Sequence, residues 1–347
     1  MSPWRDHLIP PGDVLGDHAE VPSLSYLLEA FVPWQAERWP QLKASRAALA
    51  DVEQRPLQVG SRSIMVQFNP GRTVNSTAKV DAASIQRRRC FLCADHLPPE
   101  EMGLPFGPDL VILANPFPIL GMHLVIAHRM HRPQDAGVAL DGLLDLAGAT
   151  EGTLTVIYNG PRSGASAPDH LHLQAVASGI LPEEVHALAA LARGRVPGEL
   201  LFELEDLKVW SDASSGRWIV GFVGSRETVG GAARVVIEAL DQGDPEGAAE
   251  AAEPPLNLVA TAGRPGEVVL LLFPRGAHRP ACYFADEPHR RVVSPGAIDM
   301  AGVVVTVRQE DYARLRPEDL VEIFAEVSRP EASALIRDVL VRRLTDV

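Results

Sequence analysis

The segment His170-Leu171-His172-Leu173-Gln174 restricts the fold of this chain more than any other stretch. In an extended strand successive side chains point to opposite faces, so His170, His172 and Gln174 share one face and Leu171 and Leu173 the other. The leucines need a core, so the strand belongs to a sheet with one covered face. Three polar side chains in a row, two of them imidazoles, are costly there unless they are used; the plain alternative is a solvent-facing strand. A neutral imidazole near its working pH is a good nucleophile toward phosphorus. A glutamine amide beside it can hydrogen-bond a non-bridging oxygen as charge develops.

The loop before this row, Asn159-Gly160-Pro161-Arg162-Ser163-Gly164-Ala165-Ser166, suits the same chemistry. Small residues let backbone N–H groups approach phosphate oxygens, and Arg162, Ser163 and Ser166 add side-chain donors. A Gly/Ser loop alone is usually a plain turn; its position next to a nucleophile candidate is what gives it meaning.

Charge narrows the partners. Lys and Arg total 32 and Asp and Glu 45, a formal charge of −13. A general nucleic-acid or anionic-membrane surface is not expected at that balance, so a polyanionic substrate needs a local basic pocket. The lysines are Lys43, Lys79 and Lys208 alone; the remaining basic residues are arginines, suited to fixed bidentate contacts. Arg72 and Lys79, with one of Arg87, Arg88 and Arg89, are the candidates for lining a phosphate subsite; the bland reading of the arginine run is a solvated edge. Phe68, Phe117 and Tyr158 could stack a base but read more naturally as core. Cys90, Cys93 and Cys282 are too few for a disulfide framework. No signal peptide is visible in the polar N-terminal stretch and no apolar run is long enough to span a bilayer, so a cytoplasmic setting is expected.

The pattern is α+β. Residues 1–60 read as a helical extension, with Leu24, Leu27, Leu28 and Phe31 at helical spacing. Strands are expected at 63–68, 110–114, 124–127, 153–158 and from His170 to about Ala177, with a helix over 138–146. Residues 241–255 are acidic and rich in Ala, Gly and Pro, a linker or loop. His131-Arg132-Pro133 recurs 147 residues later as His278-Arg279-Pro280, each after an apolar run. The expectation is a duplicated fold, with a first half at 61–240 and a second at 256–347. In that register Pro317 and Asp319 stand where His170 and His172 do, so the second half is degenerate. Cys90 and Cys93 form one CxxC pair, two ligands of a possible zinc site; His96, His123 and His128 are among the histidines that could complete it.

Asn-Gly, Gly-Ala-Ser and HxHxQ, together with Asn69-Pro70-Gly71-Arg72, Ala78-Lys79-Val80-Asp81 and Arg89-Cys90-Phe91-Leu92-Cys93, resemble the histidine-triad superfamily. The resemblance is to the branch of galactose-1-phosphate uridylyltransferase, diadenosine tetraphosphate phosphorylase and the sugar-nucleotide phosphorylases, and especially to a bacterial set of phosphorylase-like proteins. It covers residues 60–180 by motif. It implies a duplicated histidine-triad-like fold and a nucleotidyltransferase in which His172 attacks an α-phosphorus and forms a nucleotidyl-histidine. Gln174 would hold the α-phosphate oxygens, and Asn159, Gly164 and Ser166 would contact phosphate. The uridylyltransferases carry HPHGQ; HLHLQ is nearer the phosphorylases. The expected reaction is therefore phosphorolysis of a dinucleoside polyphosphate or a nucleoside diphosphate sugar, with phosphate or a phosphorylated acceptor as second substrate. The resemblance also implies that His131 and His170 join Cys90 and Cys93 in a closed, structural zinc site. Arg275, His278 and Arg279 would reach the distal part of the substrate. The chain is expected to act as a monomer or homodimer. The rival expectations are a non-catalytic nucleotide-binding module, a hydrolase of the same fold and a zinc-clamped scaffold.

Overall fold

The structure, a computed structural model, describes residues 3–16, 23–72, 82–242 and 253–345. Lys79 and most of the 241–255 stretch lie outside the described residues. The strands are β1 (Glu53–Val59), β2 (Arg62–Phe68), β3 (Gly103–Phe106), β4 (Leu110–Ala114), β5 (His123–His128), β6 (Leu154–Asn159), β7 (His172–Ala177), β8 (Glu199–Leu204), β9 (Leu207–Asp212), β10 (Ile219–Gly224), β11 (Leu256–Ala262), β12 (Val268–Pro274) and β13 (Val303–Thr306). The strands and the helix expected between residues 63 and 177 are present within three residues of their expected bounds, whereas β1 lies inside the stretch 1–60 that was expected to be a helical extension. β7 was expected to be the last strand before the linker; β8, β9 and β10 follow it.

Among the described residues, ten strands form one sheet in the order β3-β4-β5-β7-β6-β11-β12-β10-β9-β8, and β1-β2-β13 form a smaller one. Neighbours in the large sheet are antiparallel throughout. The order reads the same from either edge. The helix Ala136–Ala149 joins β5 to β6, and the helix Arg226–Gln242 joins β10 to β11. Two copies of one five-strand unit thus meet where β6 pairs β11, Asn159 opposite Asn257. This is the expected duplicated α+β architecture, in a different register. β4 and β5 match β9 and β10, whereas the 147-residue offset paired them with β11 and β12. The dividing line falls between β7 and β8, not at residue 240. The His-Arg-Pro turns misled because they follow non-equivalent strands, β5 and β12, each a run of apolar residues that any buried strand can supply.

Both faces of the sheet are covered, which is why its strands are almost continuously apolar. On one face the helices Ala136–Ala149, Arg226–Gln242 and the N-terminal Leu24–Arg38 share a core with Leu171 and with Leu173 and Ala175 of β7. Asp135 caps the first of these, its side chain accepting from the Val138 N–H at 3.1 Å. On the other face the second unit packs against the small sheet and the helix Pro317–Val327. The first unit is covered there by the CxxC segment, with Cys90, Leu92, Ala94 and Leu97 against Val111, Val125 and Ala127. Between these two covers the sheet face stays open, and His172 and Gln174 point into the gap. No described helix is long and apolar enough to cross a membrane.

Candidate active site

β7 begins at His172, and His170 sits in the turn before it. The pleat therefore places His172 and Gln174 in one row but not His170, a correction to the three-residue row expected from the alternation. The backbone carbonyl of His170 accepts from Nδ1 of His172 at 2.8 Å, which leaves Nε2 as the basic ring nitrogen. The His172 backbone N–H donates to Oε1 of Gln134 at 2.9 Å. The Gln134 amide in turn donates to the carbonyls of Asn159 at 2.9 Å and His172 at 3.1 Å. This buried glutamine fastens β6 to β7 at the reactive position. Nothing in the sequence singles it out, since its partners are backbone atoms brought together by folding. Burial lowers the pKa of His172, which favours the neutral imidazole that nucleophilic attack requires.

Gln174 is set by a second histidine. Nδ1 of His123 accepts from the Ile119 N–H at 3.0 Å, so its Nε2 carries the proton and donates to Oε1 of Gln174 at 2.7 Å. Burial, with the positive charge of Arg72, pushes the His123 pKa down to about 3. The ring stays neutral, the Gln174 carbonyl stays occupied, and the amide N–H groups are left for the cleft. His123 had been a candidate metal ligand; it is an orienting group.

The gap contains two chambers that share wall residues. The larger, about 550 Å³, is lined by Trp39, Phe91, Phe117, Glu101 and Arg88 and by His172, Gln174, Ser166 and Arg72. The smaller, about 90 Å³, is lined by Asn159, Gly164, Ser166, Gln174 and Arg72 from the first unit and its neighbours, and by His278, Arg279 and Asp299 from the C-terminal part. Arg72, Ser166 and Gln174 thus stand between the chambers. Nη1 of Arg72 donates to the Phe117 carbonyl at 2.7 Å; burial pushes its pKa down to about 10, which leaves it cationic at neutral pH. Arg88 pairs with Asp169 through Nη2, while its buried Nη1 has no partner among the described residues.

Part of the loop expected to contact phosphate faces the chambers. Asn159, Gly164 and Ser166 line the small chamber. Gly164 has φ +100°, and a Cβ there would lie 3.0 Å from Cα of Gly296, so only glycine fits. Arg162 and Ser163 line neither chamber. Arg162 is turned away to the Glu253 carbonyl at 3.0 Å, and Ser163 is fully buried, its carbonyl accepting from Nδ2 of Asn257 at 2.7 Å. Of the second-unit candidates, His278 and Arg279 reach the small chamber. Arg275 does not: its guanidinium is consumed by Asn257 Oδ1 at 2.6 Å and the carbonyls of Pro295 and Val327 at 2.9 and 3.0 Å. Of the aromatics, Phe117 lines the cleft, Tyr158 donates to Glu253 at 2.9 Å and Phe68 packs on Tyr312.

Cys90, Cys93, His131 and His170 bring their ligand atoms within 4.8 Å of one another. Nδ1 of His170 lies 3.2 Å from Sγ of Cys90 and 3.6 Å from Sγ of Cys93, and Nδ1 of His131 lies 3.3 Å from Sγ of Cys93. A tetrahedral zinc with Zn–S of about 2.3 Å and Zn–N of about 2.0 Å separates N from S by roughly 3.5 Å. The donor set therefore fits the ion. Nε2 of His170 is held by the His128 carbonyl at 2.7 Å, which leaves Nδ1 free for a metal. His96 is bonded through Nδ1 to the Cys90 carbonyl and His128 to the Met130 N–H, so neither competes.

A family profile described as a domain of unknown function (DUF4922) matches residues 31–177. No curated protein sequence matches the chain. Among solved structures, yeast Ap4A phosphorylase Apa2 is similar over most of the chain. Its complex with AMP is 16% identical, covers 86% of this chain and 97% of its own, and gives a TM-score of 0.52. Its ligand-free form gives 14%, 84%, 97% and 0.55, and its complex with Ap4A 14%, 84%, 97% and 0.53. At such identity the likeness shows the fold alone, an α+β fold like that of yeast Ap4A phosphorylase Apa2.

Proposed function

We propose that this chain, which carries the fold of the Ap4A phosphorylase branch of the histidine-triad superfamily, is a nucleotidyltransferase working through a covalent nucleotidyl-histidine on His172. One observation carries the reading: the imidazole is anchored through Nδ1 to the His170 carbonyl and lines a cleft large enough for a nucleotide. Nε2 attacks the α-phosphorus, a P–N bond forms, and the bond from that phosphorus to its bridging oxygen breaks with the electron pair leaving on the oxygen. The His170 carbonyl stabilises the positive charge that develops on the ring. The Gln174 amide holds a non-bridging oxygen. Ser166, Arg72 and, through the small chamber, His278 and Arg279 hold the departing phosphates. An oxygen of inorganic phosphate or a phosphorylated acceptor then attacks the same phosphorus and frees the imidazole.

The expected substrates are a dinucleoside polyphosphate or a nucleoside diphosphate sugar. Cys90, Cys93, His131 and His170 would hold zinc in a closed site, where its chemistry is structural: it fixes the turn whose carbonyl orients His172. The chain is tested by incubating it with dinucleotides and sugar nucleotides labelled at the α-phosphate, with and without phosphate, then quenching in base. An acid-labile adduct that is absent in His172→Gly is expected. Tight nucleotide binding with no adduct and no product would favour a binding module instead, and product formed equally without phosphate would favour a hydrolase.

A further inference from the structure

We propose that Glu101 is the base-reading residue of the larger chamber and that it selects guanine, its carboxylate accepting from N1–H and the 2-amino group together. This rests on the nucleotide reading of the same cleft. Glu101 is 6% exposed and lines the chamber, yet its carboxyl has no hydrogen-bond or ion-pair partner among the described residues. Its backbone is pinned on both sides. The Glu101 N–H donates to the Pro98 carbonyl at 2.9 Å, and its carbonyl accepts from Nδ1 of His7 at 2.8 Å. Gln35 holds the flanking residues, accepting from the Met102 N–H at 3.1 Å and donating to the Glu100 carbonyl at 2.6 Å. The N-terminal extension thereby acquires a role: it supplies the clamp on this carboxyl and, in Trp39, one wall of the chamber.

A carboxyl that lines the chamber with no protein partner among the described residues is open to hydrogen bonds from a ligand seated there. The walls describe that ligand. Trp39, Phe91 and Phe117 present flat apolar surface, and Phe91 is 47% exposed at the rim, as suits stacking against a planar heterocycle. His172 lines the same chamber, so a nucleotide bound at His172 has these walls available to its base. Burial alone pushes the Glu101 pKa up to about 8, so ionising it at neutral pH costs about tenfold in population. Two charge-assisted hydrogen bonds outweigh that. Guanine is the common base with two adjacent N–H donors on one edge. Adenine and cytosine set a ring acceptor beside their amino group, and uracil sets its N–H between two carbonyls. The ionised carboxylate, with two acceptors, disfavours the others because one of its acceptors then goes unpaired.

The test is calorimetric titration of the full chain with GDP, IDP, ADP and UDP, repeated on Glu101→Gln. GDP is expected to bind at least about tenfold more tightly than ADP or UDP, and IDP, which lacks the 2-amino group, to lose most of that advantage. In Glu101→Gln the preference collapses to within about threefold, while a cooperative thermal melt like that of the unaltered chain shows that the variant is folded. Equal binding of all four by the unaltered chain, or a guanine preference that survives Glu101→Gln, overturns the assignment. The outcome is separable from that of the transfer reaction. A His172 adduct formed equally from all bases would leave nucleotidyl transfer standing without guanine selection. Selective GDP binding with no adduct would leave Glu101 its role and remove the transfer.

Discussion

In β7, His172 and Gln174 face a cleft; at the matching places of β12 stand Val269 and Leu271, both buried in the core against the small sheet. The two units share a strand order and a crossover helix, so the backbone alone does not make a site. What differs is the cover. Over the first unit lies the CxxC segment, which leaves a gap beside β7; over the second lie the small sheet and the helix Pro317–Val327, which fill it. Buried charge follows the same division. In the first unit Arg88 lines the cleft and keeps one nitrogen without a partner among the described residues. In the second the buried charges neutralise one another: Arg62 pairs with Asp212 and Glu183, and Arg217 with Glu183, all almost fully buried. A duplicated sheet can thus divide labour, one copy bearing chemistry and the other bearing load while lending His278 and Arg279 to its neighbour.

The contrast breaks most visibly at the row itself. His172→Gly is expected to lower nucleotidyl transfer by at least about a thousandfold with little change in melting temperature. The double change Val269→His and Leu271→Gln in that background is expected to restore nothing, because no cleft opens beside β12. Rate assays with thermal melts on the single and triple variants check both.

A stability effect of the next size belongs to the second unit. Glu183→Gln leaves two buried guanidinium groups short of a counter-charge and is expected to cost about 3–5 kcal/mol in denaturant unfolding. The affinity of the remaining folded protein for nucleotide should be unchanged. A large loss of affinity at unchanged stability would mean that this network belongs to the site after all.

His123→Phe sharpens the comparison within the first unit. It frees the Gln174 carbonyl to rotate into the cleft, and a fall of about tenfold to a hundredfold in kcat is expected with KM little altered, read by steady-state kinetics. A change in KM alone would make His123 a packing residue.

The smallest effect is in pH dependence. Glu101 has a folded pKa of about 8 against an ordinary 4.5, so the folded state holds a proton that the unfolded chain releases. Stability should therefore fall as pH rises from about 4.5 to 8 and level off above. Asp299, pushed up to about 6, and Glu253, pushed up to about 7, add the same sign. The difference between the chain and Glu101→Gln, measured by denaturant unfolding from pH 5 to 8.5, isolates the Glu101 share; identical slopes would show that its carboxyl is already paired.

Much of the first unit was legible in the order of residues because its signals are local. Alternation in His172-Leu173-Gln174 specifies faces, Asp135 caps a helix, and the apolar runs of β4, β5 and β6 specify strands. The Cys90–Cys93 spacing named half of a cluster that could hold a metal. Less legible were groups whose partners are backbone atoms far along the chain. Gln134, His123 and Glu101 carry no pattern of their own, and Arg162, which looked poised for phosphate, is captured by the Glu253 carbonyl. The repeat was visible and its register was not, since any two buried hairpins look alike in hydrophobicity.

The sequence by itself determined the kind of chemistry available: which side chains can attack, ligate or hold phosphate, and which strand carries them, because residue type and pleat are local properties. Only the tertiary structure decided which of those side chains meet. Antiparallel pairing across the sheet sets Asn159 beside Asn257 and Gln134 beside His172. The uneven cover of two similar units decides that one face becomes a cleft and the other a core. Such closeness depends on contacts between distant segments, and no single segment encodes it.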